Sequence, residues 1–117
     1  MDFDAARSYL AGKPEAVEDY PFGPDVLVLK IAGKMFATLS ESPGYPARMN
    51  LKCDPDRSVE LREEYESIRP GWHMSKKHWN TVHVDGSFPE ELFIELIDHS
   101  YDLVVQGLPK KLRDQFG

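Results

Sequence analysis

The stretch Pro70-Gly71-Trp72-His73-Met74-Ser75-Lys76-Lys77-His78-Trp79-Asn80-Thr81 is the densest run of chemically capable side chains in the sequence. It holds both tryptophans of the chain, two lysines, and two histidines five residues apart. Indoles can stack on bases, and a lysine pair can meet phosphates. Histidine is also a metal ligand, but this spacing does not put His73 and His78 on one helix face and no third ligand stands close in sequence. No metal site is expected. Read singly, Trp72 and Trp79 are core or rim residues, because large aromatics are mostly buried. Asp98, His99 and Ser100 are the types of a proton relay, yet neighbours on a helix point in different directions. His99 therefore reads as a surface histidine. Cys53 ends a strand-like run and reads as a packed small side chain rather than a nucleophile. The glycines are isolated turn residues, not a phosphate loop. Nothing in these residues specifies a reaction, so the expectation is a non-enzymatic chain without a cofactor.

The chain that must position these residues has 117 residues, 41% of them hydrophobic and 11% aromatic. That is a single domain, 1–117, able to bury roughly two thirds of its unfolded surface without staples. General disorder is excluded by this composition. One cysteine excludes an intramolecular disulfide. No apolar run approaches the ~18 residues of a membrane helix, and Met1-Asp2-Phe3-Asp4 does not begin like a signal peptide. A soluble, cytoplasmic protein is expected. The net charge of −6 argues against polyanionic partners, but it hides a pattern. Residues 1–25, 54–68 and 84–117, the segments holding the predicted helices, carry −4 each. Residues 26–53 and 69–83, the strand-like segments, carry +3 each.

Phe3, Ala6 and Leu10 share one face of a helix predicted over 2–11, capped by Asp2 and stopped by Gly12 and Pro14. Residues 12–25 read as a connecting loop, with room for a helical turn near Glu15–Asp19. Val26–Ile31 and Met35–Ser40 read as strands around the reversal Ala32-Gly33-Lys34. Arg48–Cys53 alternates without exception, placing Met49, Leu51 and Cys53 inward. Asp54-Pro55 starts a helix expected to run to about Ile68. Residues 72–78 are ambiguous, and Trp79–Val84 alternates again. Ser87-Phe88-Pro89-Glu90 has the form of a capping box for the last long helix. The order predicts an α+β two-layer sandwich: a mostly antiparallel sheet with helices on one face.

The other face then carries Lys30, Arg48 and Lys52, with Thr81 and His83, a cationic surface a few strands wide with acidic helices behind it. Such a face suits phosphate contacts. The candidate nucleic-acid-binding set is Lys30, Arg48, Lys52, Arg69, His73, Lys76, Lys77 and His78. The expected partner is DNA, bound weakly and without sequence preference. The alternative is a protein-interaction or regulatory adaptor with no nucleic-acid role.

Two motifs carry a family resemblance. Trp72-His73-Met74-Ser75-Lys76-Lys77-His78-Trp79-Asn80-Thr81-Val82, followed by Asp85-Gly86 and by Asp98-His99-Ser100-Tyr101-Asp102-Leu103-Val104, resembles the MmcQ/YjbR family. Arg48-Met49-Asn50-Leu51-Lys52-Cys53-Asp54-Pro55 is similar to that family's strand-to-helix junction. The resemblance covers nearly the whole chain and implies a CyaY-like (frataxin-like) sandwich. It also implies DNA binding through a double-wing arrangement, with Lys52, Lys76 and Lys77 at the matching basic positions. It supplies no catalytic residues. Likeness to frataxin further suggests loose iron binding by Asp4, Glu15, Glu18 and Asp19, against which stands the plainer reading of a solvated acidic stretch.

Overall fold

In the computed structural model, which describes residues 2–71, 74–87 and 89–115, one six-stranded antiparallel sheet carries the helices on a single face. Helix α1 spans Phe3–Ala11; the Asp2 carboxylate accepts from the Ala5 N–H at 2.9 Å, and Ala6 and Leu10 are buried. Val17–Asp19 then forms β1, an edge strand antiparallel to β2 (Val26–Ile31). The expected loop over 12–25 is corrected there. All three β1 residues are exposed, so no apolar period announced the strand.

A two-residue reversal leads from β2 into β3 (Lys34–Ser40). Ala32 and Gly33 both take positive φ, 50° and 78°, the backbone sense that matches the twist of a hairpin. Leu29 pairs with Ala37 but Lys30 with Met35, so Phe36 is the extra residue of a β-bulge. The bulge turns the Phe36 ring into the core, edge-on to Tyr101 with centroids 5.3 Å apart. Strand β4 (Ala47–Lys52) buries every second residue, as its alternation predicts.

Helix α2 (Pro55–Glu64) starts as expected: the Asp54 carboxylate accepts from the Arg57 N–H at 3.1 Å, with Pro55 leading the first turn. It stops at Glu64, four residues short of the predicted end. Ile68 instead belongs to β5 (Ile68–Pro70), paired to Val82 of β6 (Trp79–Val84). Tertiary demand overrides helix continuation here: Val59, assigned to the helix's apolar side, is 54% exposed, while Ile68 is fully buried. Strand β6 lies between β4 and β5, giving the order β1-β2-β3-β4-β6-β5.

Helix α3 (Glu90–Gln106) begins at Pro89 without a side-chain cap, so the expected capping box does not form. Ser87 is committed elsewhere, its hydroxyl 2.6 Å from that of Ser67. A last turn, α4, covers Lys110–Arg113. Leu29, Leu39, Met49, Leu51 and Val82 meet Leu10, Phe93, Ile97 and Val104 in the core between sheet and helices. Among the described residues no helix is long and apolar enough to cross a membrane.

Candidate functional site

Alternation and register fix what lies on the face away from the helices. Inward Leu27, Leu39, Met49 and Val82 leave Val26, Ser40, Arg48 and His83 on the outer side of β2, β3, β4 and β6. Thr38, Asn50 and Thr81 form the next outer row, with Arg69 of β5 beside Thr81. Trp79 stands opposite Lys52 at the far end of β4 and is half-buried.

Two hollows share this face. The first, about 340 Å³, is lined by Arg48, Arg69, Pro70, Thr81 and His83. The Nδ1 of His83 lies 3.2 Å from the Ser67 carbonyl oxygen. A carbonyl only accepts, so this contact puts the proton on Nδ1 and leaves Nε2 available. Neither arginine has an ion-pair partner among the described residues. The second hollow, about 400 Å³, is lined by Phe22 and Met74 from the connections and, on the sheet, by apolar Val26 and Met35 beside polar Thr38, Asn50 and Thr81. Arg48 and Thr81 line both. The face is therefore not the continuous cationic wall expected: its centre is apolar and concave. The positive surface ends at Arg69 and His83, because both also line a third hollow together with Glu64, Glu66 and Asp85.

The candidate residues separate accordingly. Arg48 and Arg69 come together, and Lys52 shares their face. Lys30 shares it too, but is paired with Asp19 at 2.9 Å. Lys76 turns back to donate to the Gly71 carbonyl at 3.2 Å. Lys77 and His78 are exposed on the turn before β6. His73 lies outside the described residues, as does Trp72. The sequence reading put His83 on the right face without singling it out; the register that pairs it with Arg48 was the missing signal. Phe22, 69% exposed, sits in a segment read only as a connection.

That turn is held by Arg62 of α2. Its guanidinium donates to the Lys76 carbonyl at 2.5 Å, to the Trp79 carbonyl at 3.2 Å and to the Asn80 side-chain oxygen at 2.7 Å. Asn80 in turn donates to the Ser58 hydroxyl at 3.2 Å.

The triplet on α3 diverges into three structural roles. Asp98 accepts from the Tyr9 hydroxyl at 2.7 Å and from Lys13 at 2.8 Å, clamping α1 to α3. Burial, followed by that bond to Asp98, pushes the Tyr9 hydroxyl up to about 12. His99 is not a simple surface residue: it is half-buried, and its Nε2 accepts from the Asp54 N–H at 3.2 Å. Ser100 is fully buried between β4 and β3. Cys53 is 3% exposed, and burial pushes its thiol up, leaving no thiolate nucleophile. Glu18 and Asp19, suggested as iron ligands, are instead paired with Arg7 and Lys30. No group of three or more His, Cys, Asp or Glu among the described residues could hold a metal ion.

Solved structures share this open α+β sandwich. A crystal structure of a Deinococcus radiodurans protein matches with a TM-score of 0.89 at 40% identity, covering 99% of this chain and 88% of that one. A Pseudomonas syringae protein matches with a TM-score of 0.77 at 28% identity, covering 88% and 98%. Residues 11–103 match the family model described as YjbR, and the chain belongs to the YjbR family. It is 33% identical over 113 residues to the uncharacterized protein YjbR of Escherichia coli K12, covering 97% of this chain and 95% of that one. It is 48% identical over 96 residues to the uncharacterized protein YbdF of Escherichia coli O157:H7, covering 82% and 76%.

Proposed function

We propose that this protein is a non-enzymatic nucleic-acid-binding module that uses the outer face of its sheet. One observation carries the reading: Arg48, Arg69 and His83 line one hollow with no carboxylate among its described lining residues. Two guanidiniums and an imidazole around a shallow concavity suit a phosphate, which arginine can engage with two parallel hydrogen bonds. Lys52 lies on β4 four residues from Arg48, roughly 13 Å along the strand, and offers a second phosphate contact. The arginine contacts are few and reach no base edge in a groove, so by themselves they bind weakly and carry no sequence preference. DNA is the partner this reading names, met by a cytoplasmic protein.

Fluorescence anisotropy with a labelled oligonucleotide at two salt concentrations tests it. Binding that weakens with salt and is lost in Arg48→Glu/Arg69→Glu is expected; absence of binding at low salt rejects the reading. A second reading, an adaptor holding an acidic protein segment, is favoured by the exposed Phe22 beside the same cations. It predicts one protein partner competing for the face and no oligonucleotide binding.

A further inference from the structure

The apolar hollow next to the arginines is unused by a purely phosphate-binding surface. It has a volume of about 400 Å³, within the ~300–1,000 Å³ range of small-ligand pockets. Phe22, ahead of β2, and Met74, ahead of β6, both line it. An aromatic ring and a thioether are both suited to the face of a flat heterocycle. Its floor is polar and offers donors. The Thr81 hydroxyl donates to Asn50 Oδ1 at 2.5 Å, so the Asn50 oxygen is occupied and its Nδ2 has no acceptor among the described residues. The Thr38 hydroxyl accepts from the Asn50 N–H at 3.2 Å and keeps its own proton to donate. Arg48, the one charged residue among the described lining residues, stands where this hollow meets the phosphate-sized one.

A flat ring between apolar walls, carbonyl acceptors over a donor floor and an anion at Arg48 together describe one nucleotide. Resting on the nucleic-acid reading above, we propose that the hollow takes a single unstacked base, and that the ligand is therefore single-stranded nucleic acid with a preference for carbonyl-bearing bases such as thymine. A base stacked in a duplex has both faces covered and cannot enter between the walls. Its backbone could still lie along Arg48, Arg69 and Lys52, so the two ligands separate experimentally.

Binding is measured by anisotropy for a thymidine strand, for the same strand in a duplex, and for an abasic strand of equal length. Two variants accompany the wild type: Phe22→Ala, which removes a wall at an exposed position, and Ser40→Phe, which fills the hollow from a strand position that tolerates an aromatic. Circular dichroism checks that both fold. The thymidine strand is expected to bind about tenfold or more tighter than the duplex and the abasic strand, the range of one stacked base. Both variants should lose that preference while keeping the residual binding supplied by the arginines. A duplex bound as tightly as the single strand, or a preference unchanged in both variants, overturns the base pocket alone. Failure of all three ligands at low salt overturns the nucleic-acid reading with it.

Discussion

Ser100 completes a ladder that the β-bulge interrupts. Where Phe36 is the extra residue of β3, the Lys52 N–H finds no strand partner and donates instead to the Ser100 hydroxyl at 2.8 Å, which donates onward to the Phe36 carbonyl at 2.6 Å. Ser100→Ala therefore orphans a donor and an acceptor in a fully buried place. A loss of about 1–3 kcal/mol is expected from one such orphan, read as a lower urea midpoint with an unchanged slope. The neighbouring His99 sets a pH dependence. Burial, then the Arg57 guanidinium, lowers its imidazole below the ordinary value near 6.5, against the opposing carboxylates of Asp54, Asp102 and Glu95. The neutral ring is also the form that accepts the Asp54 N–H. As pH falls, the unfolded chain takes up the proton first. Stability present above 6.5 is thus lost across the interval down to the lowered folded value. His99→Gln keeps an acceptor without the titration. Its melting temperature should fall less steeply than that of the wild type between neutral and mildly acidic pH, and parallel slopes would remove His99 from the account.

Strand β5 and the turn before β6 are positioned by contacts between elements. A Cβ on Gly71 would lie 2.9 Å from the Trp79 Cβ and 3.0 Å from its carbonyl oxygen, because the two chains meet at the Gly71 N–H to Trp79 carbonyl bond of 2.9 Å. Gly71→Ala must push β5 from β6, and overpacking of this kind costs about 1–3 kcal/mol. Arg62→Ala removes three hydrogen bonds from α2 to the turn and to β6. Faster amide exchange at residues 74–79, with little change in α1, is the expected result by hydrogen-exchange measurement. The same elements show where sequence patterns stop. The runs of β4 and β6 and the apolar face of α3 were legible because their side-chain pattern repeats over six or more residues, although burial itself alternates only in β4 and Asn80, Thr81 and Val82 are buried in succession in β6. Strands β1 and β5 have three residues each, too few for a period, and both exist through pairing with a neighbour. The candidate site depends on register across three strands, which brings Arg48 to His83 and Arg69 to Thr81. Nothing local encodes that register, nor the arrival of Phe22 and Met74 over the outer face.

For the whole molecule, the charge sorting seen along the sequence becomes a partial sorting between layers, broken where Asp19 meets Lys30 and where Glu64, Glu66 and Asp85 stand beside Arg69. The helix-bearing segments carry the negative balance, while Arg48, Lys52 and Arg69 emerge on the opposite side of the sheet. Under the proposed reading a polyanion would be repelled by the helical side and admitted at Arg48 and Lys52, with Asp19 and the carboxylates beside Arg69 bounding the approach, so the net charge of −6 would both weaken and orient association. If those three cations each meet one phosphate, the logarithm of the binding constant should fall against the logarithm of salt with a slope of about −2 to −3. Lys30 gives a sharper check, because it is on the same face but already paired with Asp19. Hydrogen bonding to Lys30 holds the Asp19 carboxyl below the usual carboxylate range, so the carboxylate stays ionised at neutral pH. Lys30→Ala is therefore expected to leave oligonucleotide affinity nearly unchanged, whereas Arg48→Ala lowers it. Asp19→Asn should have the opposite effect to Arg48→Ala: it releases Lys30, strengthens binding at low salt, and steepens the salt slope by about one phosphate contact. An affinity that falls in Asp19→Asn would mean that the ligand uses the carboxylate itself, and that the outer face does not read anions.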